Sequence, residues 1–525
     1  MSKFLRGTII LLAAGLVTRV LGFINRIVIA RFIGEEGVGL YMMAFPTLIL
    51  VVTITQMGLP VAISKHIAEA EAKGDHGKIK KILVVSLATT ISLSLVFTPA
   101  LILLAPYLSK TLFTDTRTLM PLLAIAPIVP VVAISSVLRG YFQGRQNMKP
   151  AAVSQVIEQL VRILLIAFLT RAFLPHGIEY AAAAAMVASV AGELASLAYL
   201  MAAFKLKKKF RLRKNFFQAV QSGQSTFKEL MNIAIPATGS RMIGSISWFF
   251  EPIVVAQSLA NAGITASMAT KQYGALTGFA LPLLMLPSFI TFSLSTALVP
   301  AISEANSKNN HQLIEHRLQQ SLRLSLLSGG LAVVLLYVLA EPLMIVMYGS
   351  DSGSQFIRLM SPFFIFYYYQ GPLQATLQAL DLARAAMINS LIGNIAKTAA
   401  IFLLASQPSF GIMGVALGIT LGVVLVTILH FATVLKRIPF TFCVREYTAA
   451  FAIMGVSFLA GFQLYGRLPI GWGLPLRVLF VSILLTTFYF LLVIAAGLLK
   501  KEEVVRIPYI GRPLSALCIS SGKRN

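Results

Sequence analysis

The sequence predicts an all-α polytopic membrane protein, with about fourteen transmembrane helices in two parallel-repeat six-helix lobes and two further C-terminal helices. Composition, the spacing of basic residues and an internal repeat carry that expectation. Of 525 residues, 57% are hydrophobic and only 12% are charged, and the mean hydropathy is +0.81. Soluble domains carry about 25% charged residues, so lipid must replace water around most of this chain. Apolar runs of roughly 20 residues, long enough to cross a bilayer as helix, recur from end to end. They are continuous rather than alternating, which selects helices over a closed barrel.

The net charge of +25 raises the question of nucleic acid. The basic residues form no stripe on one domain; they sit between apolar runs. One set of connections holds Lys65, Lys73, Lys78, Lys80 and Lys81, then Arg145 and Lys149, then the cluster from Lys205 to Lys214, then Lys436, Arg437 and Arg445. The alternate connections are sparse: Lys110 and Arg117, Arg171, Lys271, Arg358, Arg467. This is the positive-inside pattern, and it accounts for the charge without a nucleic-acid partner. It places both termini in the cytoplasm of a multi-pass plasma-membrane protein.

Taken in order, the runs centre near residues 20, 50, 93, 129, 163, 191, 244, 286, 333, 367, 395, 423, 457 and 486. The first begins like a signal peptide, but Arg19 interrupts it and no small-residue cleavage site follows, so a retained span is expected. Cys443 and Cys518 are the only cysteines and have no metal spacing. The basic stretch 205–230 divides the chain into an N-lobe (1–204) and a C-lobe (231–438), and residues 439–525 add two spans and a cytoplasmic tail. The halves repeat. Gln143 matches Gln378, Lys149 matches Arg384, Ile157 matches Ile392, Arg162 matches Lys397 and His76 matches His311, all at one offset. Six spans repeated directly keep one orientation, which places a candidate site in the cleft between lobes near the midplane.

Charges inside spans cost on the order of 3 kcal/mol each on insertion scales and call for a partner or a task. Arg19 and Arg26 are seven residues apart on one face of the first span, and Arg241 occupies the equivalent place in the seventh. Guanidinium forks suit phosphate or pyrophosphate and stay charged at any pH. Lys397 is a further candidate cleft cation. Glu158 and Arg162 can neutralise each other four apart on one helix, and Arg139 is expected to snorkel towards the basic loop. Glu251, followed directly by Pro252, reads either as a coupling-ion or proton site beside a loosened turn or as a partner for Arg241. Asn394 is a candidate oxygen ligand for the same coupling ion. No Walker loop, His-Glu-x-x-His or nucleophile elbow is present, so no catalytic residue, metal site or cofactor is expected. A Na+ or H+ gradient, or the membrane potential, would drive such a protein.

Several blocks resemble the stage V sporulation protein B family, in the polysaccharide-exporter branch of the superfamily that includes lipid II flippases and multidrug extruders. They are LVTRVLGFINRIVIARFIGEEGVGLYMM, QMGLPVAISK, SSVLRGYFQGRQNMKP, GSRMIGSISWFFEPIVVAQSL, ATKQYGALTGFALPLLMLPSFITFSLSTALVPAISE and YYYQGPLQATLQALDLA. The resemblance implies an alternating-access flippase of an undecaprenyl-pyrophosphate-linked saccharide, lipid II foremost, serving spore-cortex peptidoglycan in an endospore-forming bacterium. It implies that Arg19 binds pyrophosphate and that the last two helices hold the prenyl tail. The pattern departs at Asn25, where the flippases have an arginine and this chain has Arg26 one place on. LILVVTITQM and KQYGALTG also lack the flippases' further arginines. Partners so implied are a lipid-linked glycan precursor, membrane lipids and cortex-synthesis membrane proteins. A cation-coupled drug or small-molecule antiporter, or a non-transport scaffold for cortex assembly, are the alternatives.

Overall fold

Helices account for nearly all of the computed structural model, which describes residues 3–207, 223–469 and 471–499; no strand occurs among them. Most of the expected basic linker (208–222), the basic tail from Lys500 with Cys518, and the extreme termini lie outside the described residues. Among the described residues, 12 helical segments are long and apolar enough to span a bilayer. The first, Gly15–Ala72, is broken at Gly34, whose positive φ of 63° a glycine adopts without strain. Phe364–Ala379, a helix of 16 residues, covers the span expected near residue 367. Splitting the first segment and counting Phe364–Ala379 gives the fourteen crossings expected.

Two compact units emerge from the packing. The first covers Met1–Phe279 with Ala405–Ile412. It contains α1 (Lys3–Gln56), α2 (Leu59–Ala72), α3 (His76–Tyr107), α4 (Leu119–Ile125), α5 (Ile128–Gly144), α6 (Met148–Phe173), α7 (Ile178–Lys207), α8 (Gln224–Asn261) and α9 (Ala266–Tyr273). In lipid no hydrophobic force drives helices together, so close backbone approach at small residues must supply van der Waals contact. Gly140 and Gly144 of α5 do this against α2: a Cβ built on them would lie 3.0 Å from the Pro60 carbonyl oxygen and 2.7 Å from that of Ser64. Gly192 brings α7 onto α6 in the same way, 2.8 Å from the Glu158 carbonyl oxygen.

The seventh span, α8, packs inside this unit. Its Ser245 hydroxyl meets that of Thr53 at 2.9 Å, Glu229 lies 3.1 Å from Lys78, and the Gln257 amide donates to the Thr111 carbonyl at 2.7 Å. The lobe boundary expected at residues 205–230 is thus a division of the repeat, and remains a proposal; the packing unit runs past it.

The second unit covers Ala280–Leu404 with Met413–Asn525. It contains α10 (Leu281–Met285), α11 (Ser288–Ser307), α12 (His311–Val338), α13 (Ala340–Tyr348), α14 (Ser354–Met360), α15 (Phe364–Ala379), α16 (Ala383–Ala405), α17 (Gly411–Leu435), α18 (Val444–Arg467) and α19 (Leu474–Ala495). α12 packs against α11, α15 and α18. The two C-terminal helices are fixed to it by Tyr489 of α19, wholly buried, whose hydroxyl donates to the Leu327 carbonyl at 3.0 Å.

The repeat is written into the backbone turns. Positive φ occurs at Gly74 and Asn309, at Thr114 and Gly349, and at Gln146 and Asp381. Each pair is 235 positions apart (309 minus 74, 349 minus 114, 381 minus 146). The helices that follow start at the same offset: His76 and His311, Leu119 and Ser354, Met148 and Ala383. Even the caps correspond, since Asp75 accepts from the Lys78 N–H at 2.8 Å and Asn310 from the Leu313 N–H at 3.0 Å. Outward faces are apolar, with Leu103 of α3 78% exposed and Phe168 of α6 71% exposed. Such surface is stable only against acyl chains.

Replacing Gly144 by Leu should therefore wedge α5 from α2, costing about 1–3 kcal/mol. Thermal unfolding of the detergent-solubilised protein should fall by several degrees. Gly239→Ala, where no atom lies within 4 Å of the new Cβ, should leave the midpoint unchanged.

Candidate functional site: charges within the spans

The cations singled out in the sequence fall in both units. Arg19 is exposed on α1 and Arg26 half-buried further along it; Asn25 between them is buried, with its side-chain oxygen making no hydrogen bond. Arg241 is exposed on α8, one turn before the Ser245 hydroxyl that meets Thr53. Glu251 is buried on the same helix, at 8% exposure. Ten residues of helix separate it from Arg241, roughly 15 Å along the axis and beyond a direct ion pair. The partner reading of Glu251 therefore fails.

Asn394 and Lys397 lie three residues apart on α16, both half-buried. Lys397 is positioned by α17, where a Cβ on Gly422 would come within 2.7 Å of the Lys397 Cβ; Gly418, four residues earlier, meets Ile401 in the same way. This glycine pair lets α17 lie close against the lysine stem. The first unit thus brings Arg19, Arg26, Arg241 and Glu251 into one body, and the second holds Asn394 and Lys397 on one helix face.

A different group of charges is the most tightly organised within the spans. Arg139 of α5 donates from Nη2 to Glu193 Oε1 of α7 at 3.0 Å, to Ser196 Oγ at 3.0 Å and to Glu158 Oε2 of α6 at 3.4 Å. Arg162 donates to Glu158 Oε1 at 2.5 Å. The pairing of Glu158 with Arg162 is as expected from their spacing. Arg139 does not snorkel to the loop; it turns inward, because Glu193 offers it a buried carboxylate two helices later. Glu193, 3% exposed, escaped the sequence reading, although a lone carboxylate in the alanine-rich run AAAAAMVASVAGELAS was the available signal. Glu158 and Glu193 sit near the middles of their helices, so the cluster lies at mid-span.

A second network joins connections at the ends of spans. Arg117 holds Asp115 through Nε and Nη2 at 3.0 and 2.8 Å and Glu36 through Nη1 at 2.6 Å, while the Thr270 hydroxyl donates to Asp115 at 2.7 Å. Burial pushes the Asp115 carboxyl up, but the Arg117 guanidinium and the Thr270 hydroxyl outweigh it and hold the group below its ordinary value. Among the described residues, no group of three or more His, Cys, Asp or Glu side chains is arranged to hold a metal ion.

Duplicated helical halves with cations inside the spans define a polytopic membrane protein built as a transporter is built. A family model described as polysaccharide biosynthesis protein matches residues 4–306, and one described as MatE matches residues 253–403. Stage V sporulation protein B of Bacillus subtilis (strain 168) is 59% identical over 97% of this chain and 98% of its own. The lipid II flippase MurJ of the same organism is 26% identical over 75% of this chain and 76% of its own. Among solved structures, lipid II flippase MurJ in an inward closed conformation superposes with a TM-score of 0.67 at 16% identity, covering 91% of this chain and 97% of that one. An inward-facing multidrug resistance MATE family transporter gives 0.66, also at 16%, over 80% and 94%. The chain belongs to the polysaccharide biosynthesis protein family, with stage V sporulation protein B as a close relative. It is a multi-pass membrane transporter of the flippase kind, and not an enzyme.

Arg139→Ala should strand Glu193 among apolar neighbours at a cost of about 3–5 kcal/mol, read as a lower midpoint of thermal unfolding. Arg139→Leu combined with Glu193→Leu should recover most of that loss. Asp115 supplies the pH test. A carboxyl held below its unfolded value stabilises fully above that value, about 3.9, and loses the contribution as pH falls through the folded value. The stability gap between the parent and Asp115→Asn should be flat from about pH 5 to 8 and close on acidification below about 4.

Proposed function

We propose that the protein moves an undecaprenyl-pyrophosphate-linked saccharide, lipid II foremost, from the cytoplasmic to the outer leaflet of the plasma membrane, for spore-cortex peptidoglycan. The observation that carries the reading is the 59% identity, over nearly the whole chain, to a sporulation protein whose family also reaches a lipid II flippase. The cargo would be recognised through its pyrophosphate. Arg19, Arg26, Arg241 and Lys397 are permanent or near-permanent cations on spans, and guanidinium forks match phosphate oxygens bidentately. Each suits a polyanionic head group and would repel the cationic cargo of a drug extruder. Alternating access between the two repeats would carry the head group across. The last two helices would shelter the prenyl chain, and both termini would lie in the cytoplasm. Glu251 and Asn394 are our candidates for the coupling ion, Na+ or H+.

The test is outer-leaflet exposure of lipid II in cells depleted of every other flippase. The parent protein should restore exposure, and Arg19→Ala and Arg241→Ala at equal expression should lower it by tenfold or more, the scale of one lost charge-assisted contact of about 1.5–3 kcal/mol. Full activity in both variants would overturn the site assignment. No exposure with the parent would overturn lipid II as cargo.

A further inference from the structure

The helix that repeats α5 in the second half is α15, and one side of it is polar and open. From Pro372 to Ala379 every residue is buried except Gln374 and Gln378, which are exposed. With Gln370 they stand at i, i+4 and i+8, a stripe about 12 Å long on one face of the helix. The neighbouring helices fix where that stripe points. Gly371 faces α11, where a Cβ on it would lie 2.7 Å from Ser295 Oγ. Gln370 faces α17, donating from Nε2 to the Val423 carbonyl at 2.9 Å, and Thr427 of α17 donates to the Phe366 carbonyl at 2.9 Å. Gln374 and Gln378 fall in the sector between those two contacts, so they line a groove between α11 and α17. On the α11 side Thr296, next to Ser295, is exposed as well.

Among the described residues neither Gln374 nor Gln378 has a hydrogen-bond partner. A primary amide carries two donor hydrogens and a carbonyl acceptor, and against acyl chains all of them would go unsatisfied. The groove must therefore hold water or a polar ligand. The first half shows the same place put to structural use. There the counterpart of Gln374 is Arg139, half-buried and tied to Glu193 at 3.0 Å. Position 374 keeps hydrogen-bonding capacity without the charge and without the partner. An uncharged stripe offers nothing special to phosphate. Donor and acceptor side by side match a hydroxyl, which is both at once, and their repetition at every turn matches a row of hydroxyls.

We propose that Gln370, Gln374 and Gln378 form a subsite for the sugar rings of a lipid-linked saccharide. The inference rests on the transport reading and divides recognition in two: cations take the pyrophosphate, and neutral amides take the saccharide. Gln370 has spent one amide hydrogen on Val423 and keeps its carbonyl oxygen as an acceptor, while Gln374 and Gln378 bring both functions. The stripe is then a specificity device. A lipid pyrophosphate without its saccharide would leave these amides unpaired when it displaced their water, and a site built to hydrogen-bond hydroxyls discriminates against a ligand that lacks them.

The experiment is binding to the full-length protein in lipid nanodiscs, with lipid II and undecaprenyl pyrophosphate as the two probes. The parent should bind lipid II at least tenfold more tightly than undecaprenyl pyrophosphate, the scale of two neutral hydrogen bonds. Gln374→Leu combined with Gln378→Leu should erase that preference and leave the affinity for undecaprenyl pyrophosphate unchanged, whereas Arg19→Ala should weaken both probes alike. Gln374→Cys and Gln378→Cys, each made singly in a chain carrying Cys443→Ser and Cys518→Ser, keep the test independent of how the leucine pair folds. A hydrophilic maleimide should label both positions, and lipid II should slow the labelling at least tenfold more than undecaprenyl pyrophosphate does. A preference that survives the leucine pair, or positions that the reagent does not reach, overturns the proposal. A parent that binds both probes equally overturns the sugar subsite and leaves the pyrophosphate reading standing. A parent that binds neither overturns the cargo, and the subsite falls with it.

Discussion

Everything in this protein depends on backbones approaching closely at glycine. In lipid a helix gains little by burying apolar surface, and its own backbone groups are already bonded, so packing contact is what remains. Gly140 and Gly144 press α5 onto α2, and Gly192 presses α7 onto α6. The last of these is what brings Glu193 beside Glu158. A side chain at position 192 would separate the two carboxyls and leave Arg139 to choose between them. The same geometry recurs where Gly418 and Gly422 bring α17 against Lys397. Small residues thus decide where the charges can be, and the charges decide what the spans can bind.

The two halves show how duplication and function pull apart. Turns with positive φ, the helix caps and the helix starts are kept at a constant separation of 235 residues. The intramembrane charges are not. Backbone turns are set by local sterics, so the left-handed conformation is kept even where the residue differs, as from Gly74 to Asn309 and from Gln146 to Asp381. Charges in spans are set by partners on neighbouring helices, and can be lost from one half once that half no longer needs them. The first half keeps the cluster of Arg139, Glu158, Arg162 and Glu193, whose positions 235 residues further on in the second half hold Gln374, Gly393, Lys397 and Ile428.

The sequence made the class, the repeat and the crossings legible, because each depends on local runs of apolar residues or on spacing along one helix. Glu158 with Arg162 was legible for the same reason. Arg139 was not. Its partner is 54 residues away, on a helix whose register against α5 depends on packing that no pattern along the chain reveals. Glu193 was passed over because it stands alone in an apolar run, without a second charge at helical spacing. Asp115, Arg117, Glu36 and Thr270 were missed as a group because three segments distant in the chain meet there: the connection that holds Asp115 and Arg117, α1 just after its break at Gly34, and α9. The packing of α8 with the first half was also hidden, since the repeat assigns that span to the second.

The separation of Arg139 from Glu193 has a consequence for how the protein is made. At synthesis rates of about 5–20 residues per second, α5 emerges roughly 3 to 10 s before its counter-charge does. A lone arginine released into the bilayer would cost about 3 kcal/mol, and a lone glutamate would follow it. Glu158 and Arg162 arrive in between and cancel each other on α6. The insertion machinery therefore has reason to hold α5 back from lipid until α7 is complete, and to release the three helices as one parcel.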